Sequence, residues 1–452
     1  MTVREVAAAA TPNEGRLIWN ANDQALAARL DSLALNVCHM PYGARGDGLA
    51  DDRPAIQAAI DACSTAGGGH VFLPAGVYRV DGPLLLRDGA NLLGAGMNVT
   101  TIRLGDGSRG PVLTDAAAGR AGAYAFGRVH LADFAIDGNR EHCPEGGEGL
   151  FTTAYYSTFE RLYIHDCRGH GLRIGFSGMA NRASQDSVTG CRISDCDGAG
   201  VLLDINGTDH VLAQCYIHDC EYGVEIHNGG VRVVNNDLYG NRRAAILITQ
   251  TAYSVIVAAN DLNANRQHGI VVTRTTQADS GPWGQLLISG NAILGDQLEQ
   301  DNAFDGIFVE SDVPAGISKL TVVGNKVFTL GGPIRFRYGV HLARHVTKTR
   351  CSANHIHNVA AAMYAVGPTC SAVEIDSLGG GALEVPPLPE SSVALVNPFH
   401  APVTVYLSGG VVSDVAIAGR STGLPGGSFR LAAGQTISVA YTVPPSWTWI
   451  AD

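Results

Sequence analysis

Through the middle of the chain, short runs of apolar residues alternate one for one with polar ones, the period of a strand with one buried face. The pattern recurs. Each copy reads apolar, x, apolar, x, Cys or Asn, x, apolar, then a turn, usually a glycine, and a second short apolar run. Close copies span Ser187–Cys196, Val211–Cys220, Arg232–Asn241 and Ile256–Asn265, with looser ones at Leu287–Ile293, Thr321–Val327 and Cys351–Ile356. Aligned, they put Cys191, Cys215, Asn236, Asn260, Asn291, Asn325 and Asn354 in one column, and Cys167, Cys196, Cys220, Asn241 and Asn265 in another. A period of 21 to 34 residues, built from short strands with Asn or Gly at the bends, is what one coil of a parallel β-helix requires. One coil cannot bury its inner face, so coils stack at the strand spacing of about 4.8 Å. Stacked Asn side chains hydrogen-bond along a column, and a small buried Cys fills the same slot.

Composition agrees and narrows the classes. Glycine makes up 56 of 452 residues, charged residues only 16%, and hydrophobic ones 46%. Disorder would need more charge, a coiled coil far less glycine, and collagen a period of three. The net charge of −11 and the lack of an evident Lys/Arg cluster argue against nucleic acid as a partner. No apolar run approaches the ~20 residues of a membrane helix. Met1-Thr-Val-Arg-Glu shows no secretory signal, so the expectation is a cytoplasmic chain, or one exported by a non-classical or particle-associated route. The ten cysteines contain no C-x-x-C pair; five are ladder positions, and Cys38, Cys63, Cys143, Cys351 and Cys370 have no assigned role.

Upstream, Tyr42-Gly-Ala-Arg-Gly-Asp-Gly-Leu-Ala-Asp-Asp-Arg-Pro predicts a turn and then a helix, capped by Asp51 or Asp52, with Pro54 in its first turn and Ile56 and Ile60 on one face. Gly67-Gly-Gly ends it, and Val71-Phe-Leu-Pro-Ala-Gly-Val-Tyr opens the β region. This segment resembles the opening of the pectate lyase superfamily, which includes polysaccharide lyases, glycoside hydrolases, mannuronan epimerases and phage tailspikes. The resemblance, extended over the coils, covers about residues 40 to 375 and implies an all-β fold: a right-handed single-stranded parallel β-helix with an N-terminal capping helix. It implies structural roles for Asp47, Asp51 and Asp52. Phe134-Ala-Ile-Asp-Gly-Asn-Arg resembles a strand of alginate epimerases, but their catalytic Tyr-Gly-Phe-Asp-Pro-His is replaced here by His170-Gly-Leu-Arg-Ile-Gly, which lacks the Asp and His.

Candidate chemistry lies on the strand that follows the glycine of each coil. Alternate residues there face outward: Arg173, Leu202, Glu225, Leu247, Val271, Phe308 and His341 in one file, and Gly175, Asp204, His227, Thr249, Thr273, Glu310 and Ala343 in the next. Asp204, Glu225 and His227 fall on adjacent coils, the two carboxylates roughly 5 to 9 Å apart, in the range of an acid–base pair for glycoside cleavage. They are the catalytic candidates. Arg173, Glu310, His341, Arg335 and Arg337 are the substrate-binding candidates, and Trp283 a sugar platform. Asp137 and Glu141 open a glycine-rich excursion; they read first as a turn, and as the acids a calcium ion would use. No cofactor or metal is called for by a specific motif.

The leading expectation is a carbohydrate-active enzyme that cleaves or intramolecularly transfers glycosidic bonds of a poly- or oligosaccharide through Asp204 and Glu225. The first alternative is a lyase on a uronic-acid polymer, with Arg173 as cation and His227 as base. The second is a noncatalytic trimeric spike. Residues 1–40 read as an arm with a helix over 21–33, 41–385 as the β-helix, and 386–452 as a small β-sandwich-like module in which Trp447 and Trp449 either pack the core or meet a glycan.

Overall fold

A computed structural model describes residues 34–124, 126–249, 252–275, 283–376 and 385–451. The helix expected over 21–33 lies outside the described residues. The first described helix, Arg53–Thr65, buries Ile56, Ala59, Ile60 and Cys63 along one stripe, with Pro54 in its first turn. Asp52 holds the N-cap position without capping: its carboxylate accepts the N–H groups of Arg45 and Gly46 at 2.6 and 2.9 Å. The N–H of Arg53 is satisfied by Asp51 instead, and Asp47 accepts those of Leu49 and Ala50. All three aspartates thus serve the backbone of the opening turn.

Each coil contributes one short strand to each of three parallel sheets, the architecture of a β-helix. The chain forms two compact units, divided between Gly198 and Ala199. In the first, Leu92, Leu131, Phe159 and Val188 are successive partners on the first sheet and all are buried. In the second, Leu212, Val233, Val257, Ile288, Val322, Cys351 and Ile375 continue an equivalent inward file. Cys351 is therefore a core side chain, and burial pushes its thiol up to about 12. None of the ten cysteines is in a disulfide.

The Asn ladder forms as the repeat predicts. From Asn236 through Asn260, Asn291 and Asn325 to Asn354, each side-chain amide donates to the next Oδ1 at 2.9 to 3.0 Å. Each ladder amide also donates to a main-chain carbonyl of the preceding coil, so polar groups buried at the bends are satisfied. The residue before each rung is left-handed, from Asn235 at φ 56° to Ala353 at φ 52°, and the chain turns there. The glycines ahead of the third sheet differ: they are needed for close approach and not for a bend. A Cβ on Gly223 would lie 2.6 Å from the carbonyl oxygen of Ala245, and one on Gly306 would strike Val327.

In the second unit, residues beyond 385 form two antiparallel sheets. Val403–Ser408 pairs with Gly427–Leu431 and Ser446–Ala451, and Val411–Ile417 with Thr436–Val443. Trp449 is buried in their core, and Trp447 packs against it edge-on with its indole N–H on the carbonyl of Pro386. Trp449 is a core residue.

Candidate active-site strip

The outward files fall in register on the third sheet of the second unit. Leu202, Glu225, Leu247, Val271, Phe308 and His341 are successive strand partners. Glu225 and His341, four steps apart, are separated by roughly 19 Å at the usual strand spacing. Apolar Leu247, Val271 and Phe308 lie between them. In the neighbouring file a register slip between Val309 and Glu310 brings Arg344, and not Ala343, beside Glu310.

The first cluster unites the three catalytic candidates around one imidazole. His227 meets Asp204 Oδ1 through Nδ1 at 3.1 Å and Glu225 Oε1 through Nε2 at 2.7 Å. Asp204 is nearly buried, and the N–H of Ile205 also donates to it at 2.7 Å. Burial pulls the His227 pKa down, but its hydrogen bonds to Asp204 and Glu225, and their charges, outweigh this and lift it to about 9. At neutral pH the ring is an imidazolium that donates both protons. The proton a glycosidase would keep on one carboxyl sits on the imidazole instead, and the ring fills the gap where water or a sugar oxygen would have to enter.

The second cluster is built on a residue absent from the sequence reading. Asp305 is fully buried and accepts a two-pronged contact from Arg337, Nε to Oδ1 at 3.0 Å and Nη2 to Oδ2 at 2.7 Å. The same Oδ2 meets His341 Nδ1 at 2.9 Å. Burial raises the Asp305 pKa, but hydrogen bonds from His341 and Arg337 overcome it, so the carboxyl is held below its usual range. The tautomer with its proton on Nδ1 donates to Asp305 and leaves Nε2 a bare lone pair; Arg337 Nη2 also lies 3.3 Å from that Nδ1. Neither that Nε2 nor Arg337 Nη1 meets a protein group among the described residues. The His341 ring stands edge-on to Phe308 and Tyr338, with centroids 5.3 and 4.9 Å away. Beneath, His268 accepts the N–H of Asp305 through Nδ1 and stacks on Phe308; burial drives its pKa down to about 4, so it is neutral. His268, Asp305 and Tyr338 each precede the glycine that opens a third-sheet strand. That column was legible in the repeat and is the signal that finds them.

The other candidates fall elsewhere. Glu310 pairs with Arg344 at 2.9 Å rather than acting with His341, Arg335 or Arg337. Arg335 takes Asp301 through its main-chain N–H at 2.7 Å. Trp283 cannot be a sugar platform: it is buried, with the Arg274 guanidinium 5.7 Å from its ring centroid. In the first unit, Arg173 meets Glu148 at 3.2 Å and lies over the Phe151 ring. Asp137, His165 and Asp166 are grouped as metal ligands could be, but Arg103 and Arg140 already lie against the two carboxylates, and Glu141 is not among them.

Residues 34–128 match the family model for rhamnogalacturonase A/epimerase, pectate lyase-like, and residues 118–262 that for the right-handed beta helix region. Over 148 residues the chain is 43% identical to mannuronan C5-epimerase AlgE3 of Azotobacter vinelandii, covering 29% of this chain and 8% of that protein. It is 36% identical over 143 residues to alginate lyase 7 of the same organism, 28% of this chain and 16% of that one. The match thus spans a small part of either relative. The A-module of A. vinelandii mannuronan C5-epimerase AlgE6 superposes with a TM-score of 0.57 over 78% of this chain and 99% of the module, at 20% identity, a likeness of fold alone.

Proposed function

We propose that this member of the pectate lyase-like right-handed β-helix superfamily acts on a uronic-acid polymer of the alginate kind, removing the proton on the carbon next to the uronate carboxylate. The observation that carries this reading is the buried Asp305 holding His341 and Arg337 side by side. Arg337 neutralises the uronate carboxylate, which lowers the barrier to carbanion formation at the neighbouring carbon. His341 Nε2 takes the C5 proton. The electron pair of the C–H bond forms a C4–C5 double bond, the C4–O bond breaks, and the departing oxygen takes a proton from the Tyr338 hydroxyl. The Asp204–His227–Glu225 cluster, about four coils away, binds the hydroxyls of another sugar of the same chain.

Epimerisation shares the first step and differs only in returning a proton to the opposite face; the likeness to mannuronan C5-epimerases favours it as the second reading. Glycoside hydrolysis by Asp204 and Glu225 is the weaker reading, because His227 occupies both carboxylates. Polymannuronate and polyguluronate should be incubated with the protein while ultraviolet absorbance, reducing ends and C5 configuration are followed together. Elimination raises absorbance and ends in step, and epimerisation alters configuration alone. His341→Gln should lower kcat by roughly 10² or more with KM little changed. Reducing ends without unsaturation, or a fully active His341→Gln, would sink the proposal.

A further inference from the structure

The expectation of no basic cluster fails over one stretch. Residues 313–373 hold seven Lys and Arg, including all three lysines of the chain, and no Asp or Glu, although the whole carries −11. Three of the seven lie by the third sheet and each has a carboxylate partner there: Arg335 has Asp301, Arg337 has Asp305, and Arg344 has Glu310 and Asp312. The other four, Lys319, Lys326, Lys348 and Arg350, are exposed on the first and second sheets. Among the described residues, no carboxylate comes within ion-pair distance of them.

Lys319, Lys348 and Arg350 line an open cleft of about 440 Å³ with Thr321 between them and Glu374 at one end. Ser318 is the strand partner of Thr347, and Thr321 of Arg350, so Lys319 lies over Lys348 on adjacent strands. Like charges so stacked repel. Both lysines are also held in left-handed backbone, φ 58° and 51°, where Asn or Gly is the easier residue. An anion from outside relieves the repulsion between the two lysines, since the carboxylate in the cleft lining, Glu374, is the strand partner of Arg350 and not of either lysine.

We propose that this cleft is a second, noncatalytic binding site for an acidic polysaccharide, in which Lys319, Lys348 and Arg350 hold successive carboxylates of the chain. It rests on the uronic-acid reading for the identity of the polymer. Lys319 and Lys348, one coil or roughly 4.8 Å apart, suit a polymer with one charge per sugar. No aromatic side chain lines the cleft to stack on a base. Glu374 repels a polyanion and marks where the track ends.

The test is equilibrium binding of fluorescent polymannuronate to the full chain over a series of salt concentrations, with the Lys319→Asn/Lys348→Asn and Lys319→Arg/Lys348→Arg double variants alongside. Asn suits the left-handed backbone, so folding is kept while charge is lost. The Asn variant should bind about tenfold more weakly, with a salt slope reduced by roughly two charges, and the Arg variant should bind like the unsubstituted protein. An unchanged affinity and slope in the Asn variant would overturn the proposal, as would an equal loss in the Arg variant. Tighter lysine-dependent binding of duplex DNA than of polymannuronate would overturn the choice of ligand. Product formation is followed separately. Polymer held through the lysines without turnover upholds the cleft and sinks the elimination, whereas turnover with lysine-independent binding does the reverse.

Discussion

Replacing His227 by Gln tests the electrostatics of the first cluster. Its pKa of about 9 stands against 6.5 for a free imidazole, a difference of about 2.5 units, and the side chain is only 15% exposed. At 1.36 kcal/mol per unit, the imidazolium contributes about 3 kcal/mol to folding. The folded pKa is raised, so this contribution is fully present below pH ~6.5 and disappears as pH climbs through 9. Urea unfolding at intervals from pH 6 to pH 10 should show the native protein losing about 3 kcal/mol through this group. His227→Gln leaves Asp204 and Glu225 facing a neutral amide, and should be less stable than the native protein by roughly 3 to 5 kcal/mol at pH 6. Its alkaline loss should be correspondingly smaller. Equal pH slopes in the two proteins, or a native transition centred near pH 6.5, would refute the carboxylate clamp.

Three further outcomes follow from the packing. His268, held neutral with a pKa of about 4, gives a stability present above pH ~6.5 and lost as pH falls toward 4; in urea unfolding extended down to pH ~4, the acid limb should flatten in His268→Gln. Asn260→Ala removes the acceptor of both the Asn236 N–H and its amide, and should cost about 2 to 4 kcal/mol in the same assay, more than exposed Asp261→Ala on the next position. With a thiol reagent, the native protein should expose Cys38 first, since the other nine cysteines are buried, and all ten only after unfolding; rapid native labelling of Cys351 would contradict its place in the core.

Both Asn columns and the coil period were legible in the chain because a ladder needs the same residue type at the same bend in every coil. The outward file from Leu202 to His341 could be written down for a similar reason: strand alternation fixes which side chains share a face. The helix at 53–65 was visible as well, but not the actual work of Asp52, whose acceptors are claimed by the turn before it. Trp283 misled, since an aromatic near an insertion reads alike whether it faces solvent or the core.

What the sequence determined by itself was the repeat, and with it the β-helix, because stacking is a local rule applied coil after coil. The tertiary structure decided which charges meet. Asp305 reaches across 32 residues to Arg337 and 36 to His341, and His227 spans 23 to Asp204. Such contacts depend on the side chains' directions and on how many residues each intervening coil inserts. The same stacking brings Lys319 over Lys348, where 29 residues of chain separate two charges on neighbouring strands. Register is local, whereas the partner of a charge is a property of the stack.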